Sequence, residues 1–209
     1  RSNLEETVKL IEDNGGSAVF FSHDLTVGTE VEALVAEVME RFGRIDILVN
    51  NAGGYPAEIY KNIEHQAIKF WEWTEEQWDQ IIKTNIRIPF LCMNKILPVM
   101  ISQKSGKVVS VSSRMGRIAS QMGAYAVAKG AVITMTKTAA IQRKEYGIQV
   151  NAVAPGIVDT PGQRVYNHSV GQDNVAMGSA ADVAKAIIYL LCDAPDVMTG
   201  QSIDLFTTV

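Results

Sequence analysis

The sequence predicts an α/β fold: a doubly wound parallel sheet in a three-layer α/β/α arrangement, with 1–209 forming a single domain. Three observations predict it. Apolar runs of strand length alternate with segments of helical periodicity about a dozen residues long or more, the signature of βαβ units. The strand runs are continuously apolar rather than alternating, as strands covered by helices on both faces are. The 209 residues, 47% hydrophobic and 20% charged, have the length and composition of one globular domain.

The elements follow in order. Positions 4–13 carry helical spacing, with Ser2 or Asn3 as N-cap and Asn14-Gly15-Gly16 as the stop. Ala18-Val19-Phe20-Phe21 reads as a strand. Over 31–42, Val31, Leu34, Val35, Val38 and Met39 share one helical face, and Gly43 ends it. Ile45-Asp46-Ile47-Leu48-Val49 is the next strand. Thr74-Glu75-Glu76-Gln77 spells a capping box that opens a long helical stretch to about Met100, with Pro89 as the place where it can break. A strand at 108–112, a helix at 123–146, a strand at 148–154, a helix at 180–191 and a strand at 202–206 complete the alternation.

Composition excludes several function classes. A net charge of −4 and an isoelectric point near 5.4 argue against nucleic acid as a partner. No apolar run approaches the roughly eighteen residues of a membrane span, so no membrane partner is expected. Cys92 and Cys192 lie a hundred positions apart without ligand spacing, and His23, His65 and His168 are scattered, so no metal site is expected. A reducing, cytoplasmic compartment is the default reading of that cysteine usage.

In open α/β sheets ligands bind beyond the carboxyl ends of the strands. The residues there are His23-Asp24-Leu25-Thr26, Asn50-Asn51-Ala52-Gly53-Gly54, Ser112-Ser113-Arg114-Met115-Gly116 and Pro155-Gly156-Ile157-Val158-Asp159-Thr160. Small and polar residues at successive strand ends suit either ordinary turn chemistry or a backbone that approaches a ligand closely. Tyr125 and Lys129, four apart on a helix, share one face. A phenol is a poor acid–base catalyst at neutral pH, and bringing it into range takes roughly 3–4 kcal/mol of differential interaction, which a close ammonium supplies. A hydroxyl from Ser112-Ser113 would meet the same substrate oxygen.

These pieces together resemble the short-chain dehydrogenase/reductase family. They stand in its order: Asp24-Leu25, Asn50-Asn51-Ala52-Gly53, Asn85 with Phe90, Ser113, Tyr125 with Lys129, Asn151, Pro155-Gly156 with Thr160, and Thr199-Gly200-Gln201. The resemblance implies a Rossmann-like oxidoreductase that uses NAD or NADP to interconvert a secondary alcohol and a ketone by hydride transfer. Tyr125 would be the general acid/base. Lys129 would lower the Tyr125 pKa and bond the nicotinamide ribose, Ser113 would orient the substrate oxygen, and Asn85 would hold a proton-carrying water. Asp24 would meet the adenine, Leu25 would also bind the cofactor, Asn51, Ala52 and Gly53 would meet the adenosine ribose region, and Pro155, Gly156, Val158 and Thr160 the nicotinamide end. Spacing back from Tyr125 points to Ser112 as the catalytic serine and anchoring on Gly116 points to Ser113, the preferred one. The family's helices matching 90–100 and 130–145 imply a homodimer or homotetramer.

The family's Gly-rich turn is not in the sequence, which leads to the expectation of about 35–45 further residues upstream. The stretch 160–182 is short for the family, which leads to the expectation of a similar omission within a mobile substrate lid. The stretch 54–74 is long and holds Tyr55, Tyr60, His65, Phe70, Trp71 and Trp73. Those rings suit a bulky or aromatic ketone, or else pack the segment onto the body. Two rival readings are a carrier-linked 3-oxoacyl reductase, with Arg114, Arg117 and Arg164 at its entrance, and a catalytically inactive cofactor-binding homologue.

Overall fold

The computed structural model describes residues 2–54, 68–120, 122–142, 145–169, 171 and 173–206, with the backbone alone of Ser2 and Ser169. Four strands, β1 (Ile47–Asn50), β2 (Gly106–Val111), β3 (Ile148–Pro155) and β6 (Ser202–Leu205), pair in parallel in the order β1-β2-β3-β6. Strand β3 is buried along its whole length, which explains its unbroken Ile-Gln-Val-Asn-Ala-Val-Ala run.

Successive residues of each strand point to opposite faces, and each face has its own core. On one, Val108, Ile148 and Val150 pack with Met93, Ile96 and Met100 of α4 (Ile88–Gln103) and Ala140 of α5 (Gly123–Gln142), with Val35, Val38 and Met39 of α2 (Gly28–Phe42) against them. On the other, Val109 and Val153 meet Val183 of α7 (Ala180–Ile188) and Leu190 and Leu191 beyond it. Helix α1 (Ser2–Asp13) precedes these elements, and Gly43 closes α2 in the left-handed conformation expected of it.

Three sequence expectations need correction. Residues 18–21 are extended but unpaired: none of the described strands lies beside them, and without a ladder an apolar run is not a strand. The helical stretch from Thr74 does not break at Pro89, which sits in the first turn of α4 directly after a π-helical turn. The irregularity comes earlier, as a π-helical turn Lys83–Arg87 joining α3 (Glu75–Ile82) to α4. The helix expected to 191 gives way to a second π-helical turn, Tyr189–Asp193. Beyond β3 lie a two-residue strand β4 (Val158–Asp159), the helix α6 (Pro161–Ser169) and β5 (Gly178–Ser179), which pairs with β4.

Candidate active site

The carboxyl ends of β1, β2 and β3 converge with α5 and the π-turn. The Ser112 hydroxyl donates to the Lys129 carbonyl at 2.6 Å, and the Lys129 ammonium donates to the Val111 carbonyl at 3.0 Å. This double clasp sews the end of β2 to the second turn of α5. The turn after it, a 3-10 segment Arg114–Gly116, lies so close to α5 that a Cβ on Gly116 would overlap the Gly130 amide nitrogen and the Lys129 carbonyl carbon. Glycine at both positions allows the approach. A glycine inside a helical pattern was the signal in the sequence that this helix packs tightly against something.

Ser113 caps the 3-10 turn, its Oγ accepting from Met115 N–H at 3.2 Å, and it is hydrogen-bonded to the Tyr125 phenol. Ser112 is turned away, into α5. The structure therefore places Ser113 and not Ser112 beside Tyr125. Burial pushes the Tyr125 phenol above its ordinary value, while the Ser113 bond pulls it down by stabilising the phenolate. The anticipated lowering by Lys129 is not what governs the phenol here. The ammonium lies 5.6 Å from the centre of the Tyr125 ring, and its own pKa falls to about 8 because burial penalises the charge.

Asn85 is buried in the π-turn and clasps the backbone of Gly54. Its Oδ1 accepts from Gly54 N–H at 2.9 Å, and its Nδ2 donates to the Gly54 carbonyl at 2.8 Å, with the Ile81 carbonyl at 3.1 Å and the Thr84 hydroxyl at 3.0 Å. The side-chain amide thus fixes the loop after β1, where the resemblance implied that it holds a water. Widened turns of this kind admit such side-chain insertions. A Cβ on Gly53, at φ +148°, would come 3.0 Å from Asn85 Oδ1 and 3.6 Å from Lys129 Nζ. Asn85, Gly53 and Lys129 thereby line one cradle.

Asp24 Oδ1 accepts from the backbone N–H of Thr26 at 2.9 Å and its hydroxyl at 2.6 Å, which holds the carboxyl below its usual range. Leu25 packs against Val31, Ile88 and Leu91. Asn51 and Ala52 are exposed past β1. Pro155 ends β3, the Gly156 N–H donates to the Leu205 carbonyl at 2.9 Å, Val158 lies in β4, and Thr160 Oγ1 accepts from Gln163 N–H at 3.2 Å at the start of α6. Asn151 faces away from the cradle: its side chain holds the Met198 carbonyl at 2.9 Å and the Gln201 N–H at 3.0 Å, anchoring the Thr199-Gly200-Gln201 loop.

The aromatic segment is divided. Trp73 packs onto Ile81, Ala124 and Ala128, Phe70 meets Trp78 edge-on with centroids 6.4 Å apart, and Trp71 is exposed. Tyr55, Tyr60 and His65 lie outside the described residues. Of the three arginines, Arg117 binds Asp204 at 2.9 Å and Arg164 binds Asp159 through two hydrogen bonds, at 2.5 and 2.8 Å. Among the described residues no cluster of three His, Cys, Asp or Glu could hold a metal ion, and no helix is long and apolar enough to cross a membrane.

Strand ends, glycines without room for a side chain and a buried lysine make a cradle suited to a long, flat, polar cofactor approached by backbone. Comparison with known proteins agrees. A family model described as short chain dehydrogenase matches residues 1–171. An uncharacterized oxidoreductase of Thermotoga maritima is 35% identical over 214 residues, covering 96% of this chain and 80% of its own. A 3-oxoacyl-[acyl-carrier-protein] reductase, FabG, of the same organism is 33% identical, covering 98% and 82%. Among solved structures, a 3-oxoacyl-[acyl-carrier protein] reductase of Brucella melitensis with bound NAD superposes with a TM-score of 0.82 at 27% identity, covering 98% of this chain and 76% of that one. ElxO with NADP bound gives 0.79 at 29% identity, covering 89% and 75%.

Proposed function

The chain belongs to the short chain dehydrogenase family, and on that premise we propose that it is an NAD(P)-dependent oxidoreductase interconverting a secondary alcohol and a ketone, with Tyr125 as general acid/base. The observation that carries this reading is the hydrogen-bonded Ser113–Tyr125 pair at the end of β2 with the Lys129 ammonium 5.6 Å from the phenol ring.

The residues of the cradle fit the cofactor. Asp24, Leu25, Asn51, Ala52 and Gly53 would hold its adenosine half, and Pro155, Gly156, Val158, Thr160 and Lys129 its nicotinamide half. When bound it supplies or accepts the hydride. Everything else falls to the chain. The Ser113 and Tyr125 hydroxyls converge where a carbonyl oxygen would sit, and both donate to it. In reduction Tyr125 gives its proton to that oxygen as negative charge develops. In oxidation its phenolate takes the proton back, and before substrate claims the Ser113 hydroxyl its bond to the phenol favours that phenolate. The Lys129 ammonium, fixed by the Val111 carbonyl beside Gly53, would hold the nicotinamide ribose. Asn85 keeps the Gly53–Gly54 backbone from closing over the cradle.

The substrate we favour is a free, bulky or aromatic ketone, supported by the ring-bearing segment before α3 next to Tyr125. The carrier-linked alternative is supported by the FabG relatives. Against it, Arg117 and Arg164 are spent on Asp204 and Asp159. By the same family reading the chain assembles as a homodimer or homotetramer. The test is NADH and NADPH oxidation by the purified protein with a panel of aryl ketones beside acetoacetyl thioesters, free and carrier-linked. Turnover of aryl ketones that disappears in Tyr125→Phe is expected. Preference for the carrier-linked thioester would transfer the chain to the alternative, and equal turnover by Tyr125→Phe would overturn the assignment of Tyr125.

A further inference from the structure

We propose that Trp73 is a positioning residue for Tyr125, setting where the first turn of α5 lies by packing its indole against Gly123. The inference rests on the reading of Tyr125 as the acid/base. Gly123 opens α5 at φ +48°, and a Cβ there would collide with the indole, 2.6 Å from Cε2 and 2.8 Å from Cζ2 and overlapping Nε1. The ring therefore occupies the space that a side chain at 123 would take, two residues before the phenol. Both Trp73 and Tyr125 pack on the same small cluster, Ile81, Ala124 and Ala128, in which two alanines allow α3 and α5 to approach closely.

The tryptophan is itself held from both sides. Before it stands the 3-10 turn Phe70–Glu72. After it Thr74 caps α3 through a reciprocal pair of 3.2 Å bonds with Gln77. The indole N–H is buried and has no hydrogen-bond partner among the described residues. Among the described residues shape, and not a hydrogen bond, keeps the ring in place. A flat ring wedged between a capped helix and the glycine that opens the next one is a means of fixing a helix start to a fraction of an ångström, and misplacement on the order of 1 Å costs about a hundredfold in rate.

The test separates positioning from plain stability. Trp73→Ala is expected to lower kcat for ketone reduction about tenfold or more with the ketone KM little changed. Its alkaline limb should move to lower pH, because water reaching Ala124 relieves the burial that raises the phenol. Trp73→Phe should restore both. Trp78→Ala, in the same cluster, should lower the melting temperature and leave the limb in place. Should Trp73→Ala not fold, Gly123→Ala serves, since its methyl must push the indole or the helix start, and it should move the limb likewise. A Trp73→Ala protein with wild-type kcat and pH profile overturns the proposal, as does a Trp73→Phe protein whose ketone KM rises tenfold, the mark of a lost donor to substrate. Tyr125→Phe runs in the same assay. Loss of turnover there with an unaffected Trp73→Ala defeats this inference alone, whereas retained turnover defeats the reading beneath it.

Discussion

Ser112 and Lys129 exchange hydrogen bonds across one junction: the serine hydroxyl donates to the lysine carbonyl at 2.6 Å, and the lysine ammonium donates at 3.0 Å to the carbonyl of Val111, the residue before the serine. The exchange makes Ser112 a structural rivet and frees Ser113 to face Tyr125. Ser113→Ala should lower kcat about 10²–10³-fold, as removal of a donor to the developing oxyanion does, with little change in melting temperature. Ser112→Ala should cost about 1 kcal/mol of stability and leave the order of magnitude of kcat intact. Steady-state kinetics beside urea unfolding of both variants checks the division, and the reverse pattern would return the catalytic role to Ser112.

Lys129 is the residue for which function and stability oppose each other. Its folded pKa of about 8 lies below the ordinary 10.5, so near neutrality the native state carries a charge that burial penalises. The unfolded chain binds this proton more tightly, so between about pH 8 and the ordinary lysine value the native state gains stability as pH rises. Lys129→Met should therefore be more stable than the parent at pH 7 by about 2 kcal/mol, the charge penalty less one hydrogen bond. The gap should close toward pH 10, and turnover should be lost. Urea unfolding of the pair across that range measures it. A Met variant less stable than the parent at neutral pH would show that the ammonium's bond to Val111 outweighs its desolvation.

The phenol supplies the pH sign of the reaction. Burial raises the Tyr125 pKa, so the protonated form that reduction needs persists through the neutral range. Reduction should be nearly flat from about pH 6 to about pH 8, and oxidation, which needs the phenolate, should climb with pH through that interval. Initial rates in both directions in constant-ionic-strength buffers decide this. A reduction rate that already falls steeply as pH rises from about 6 to about 8 would mean that the bound cofactor brings Lys129 into control of the phenol, as the sequence resemblance implied.

Much of this site is legible in the sequence, and what is not has a physical reason. Periodicity located β2, β3 and α5, and the i, i+4 relation put Tyr125 and Lys129 on one face. The choice between Ser112 and Ser113 was open because spacing does not say which of two adjacent strand-end side chains turns toward the helix. The backbone contact of Gly116 with Gly130 settles that geometry. The π-turn around Asn85 was invisible because it depends on a side chain replacing a backbone donor, which no propensity encodes. Residues 18–21 read as a strand from composition alone, yet a strand exists only with a partner beside it.

Asn85 offers the sharpest check of that hidden geometry. Its amide serves both backbone groups of Gly54 at once, and a methyl on Gly53 would press on its Oδ1 at 3.0 Å from a backbone with φ +148°. Asn85→Ala would leave the Gly54 N–H and carbonyl without their partner, and should lower stability by about 2–3 kcal/mol. Asn85→Asp retains the acceptor for Gly54 N–H but sets a carboxylate against the Gly54 carbonyl, so it should fall between the parent and the alanine variant. Gly53→Ala should spare most of the stability and weaken dinucleotide binding about tenfold or more, because the methyl must displace Asn85 or enter the cradle at a backbone angle that alanine resists. Calorimetric titration with NADH and NADPH, beside thermal unfolding, distinguishes the two residues. If Gly53→Ala binds dinucleotide like the parent, the cofactor does not approach the β1 loop through this glycine, and the cradle between Asn85 and Lys129 serves the packing of the fold alone.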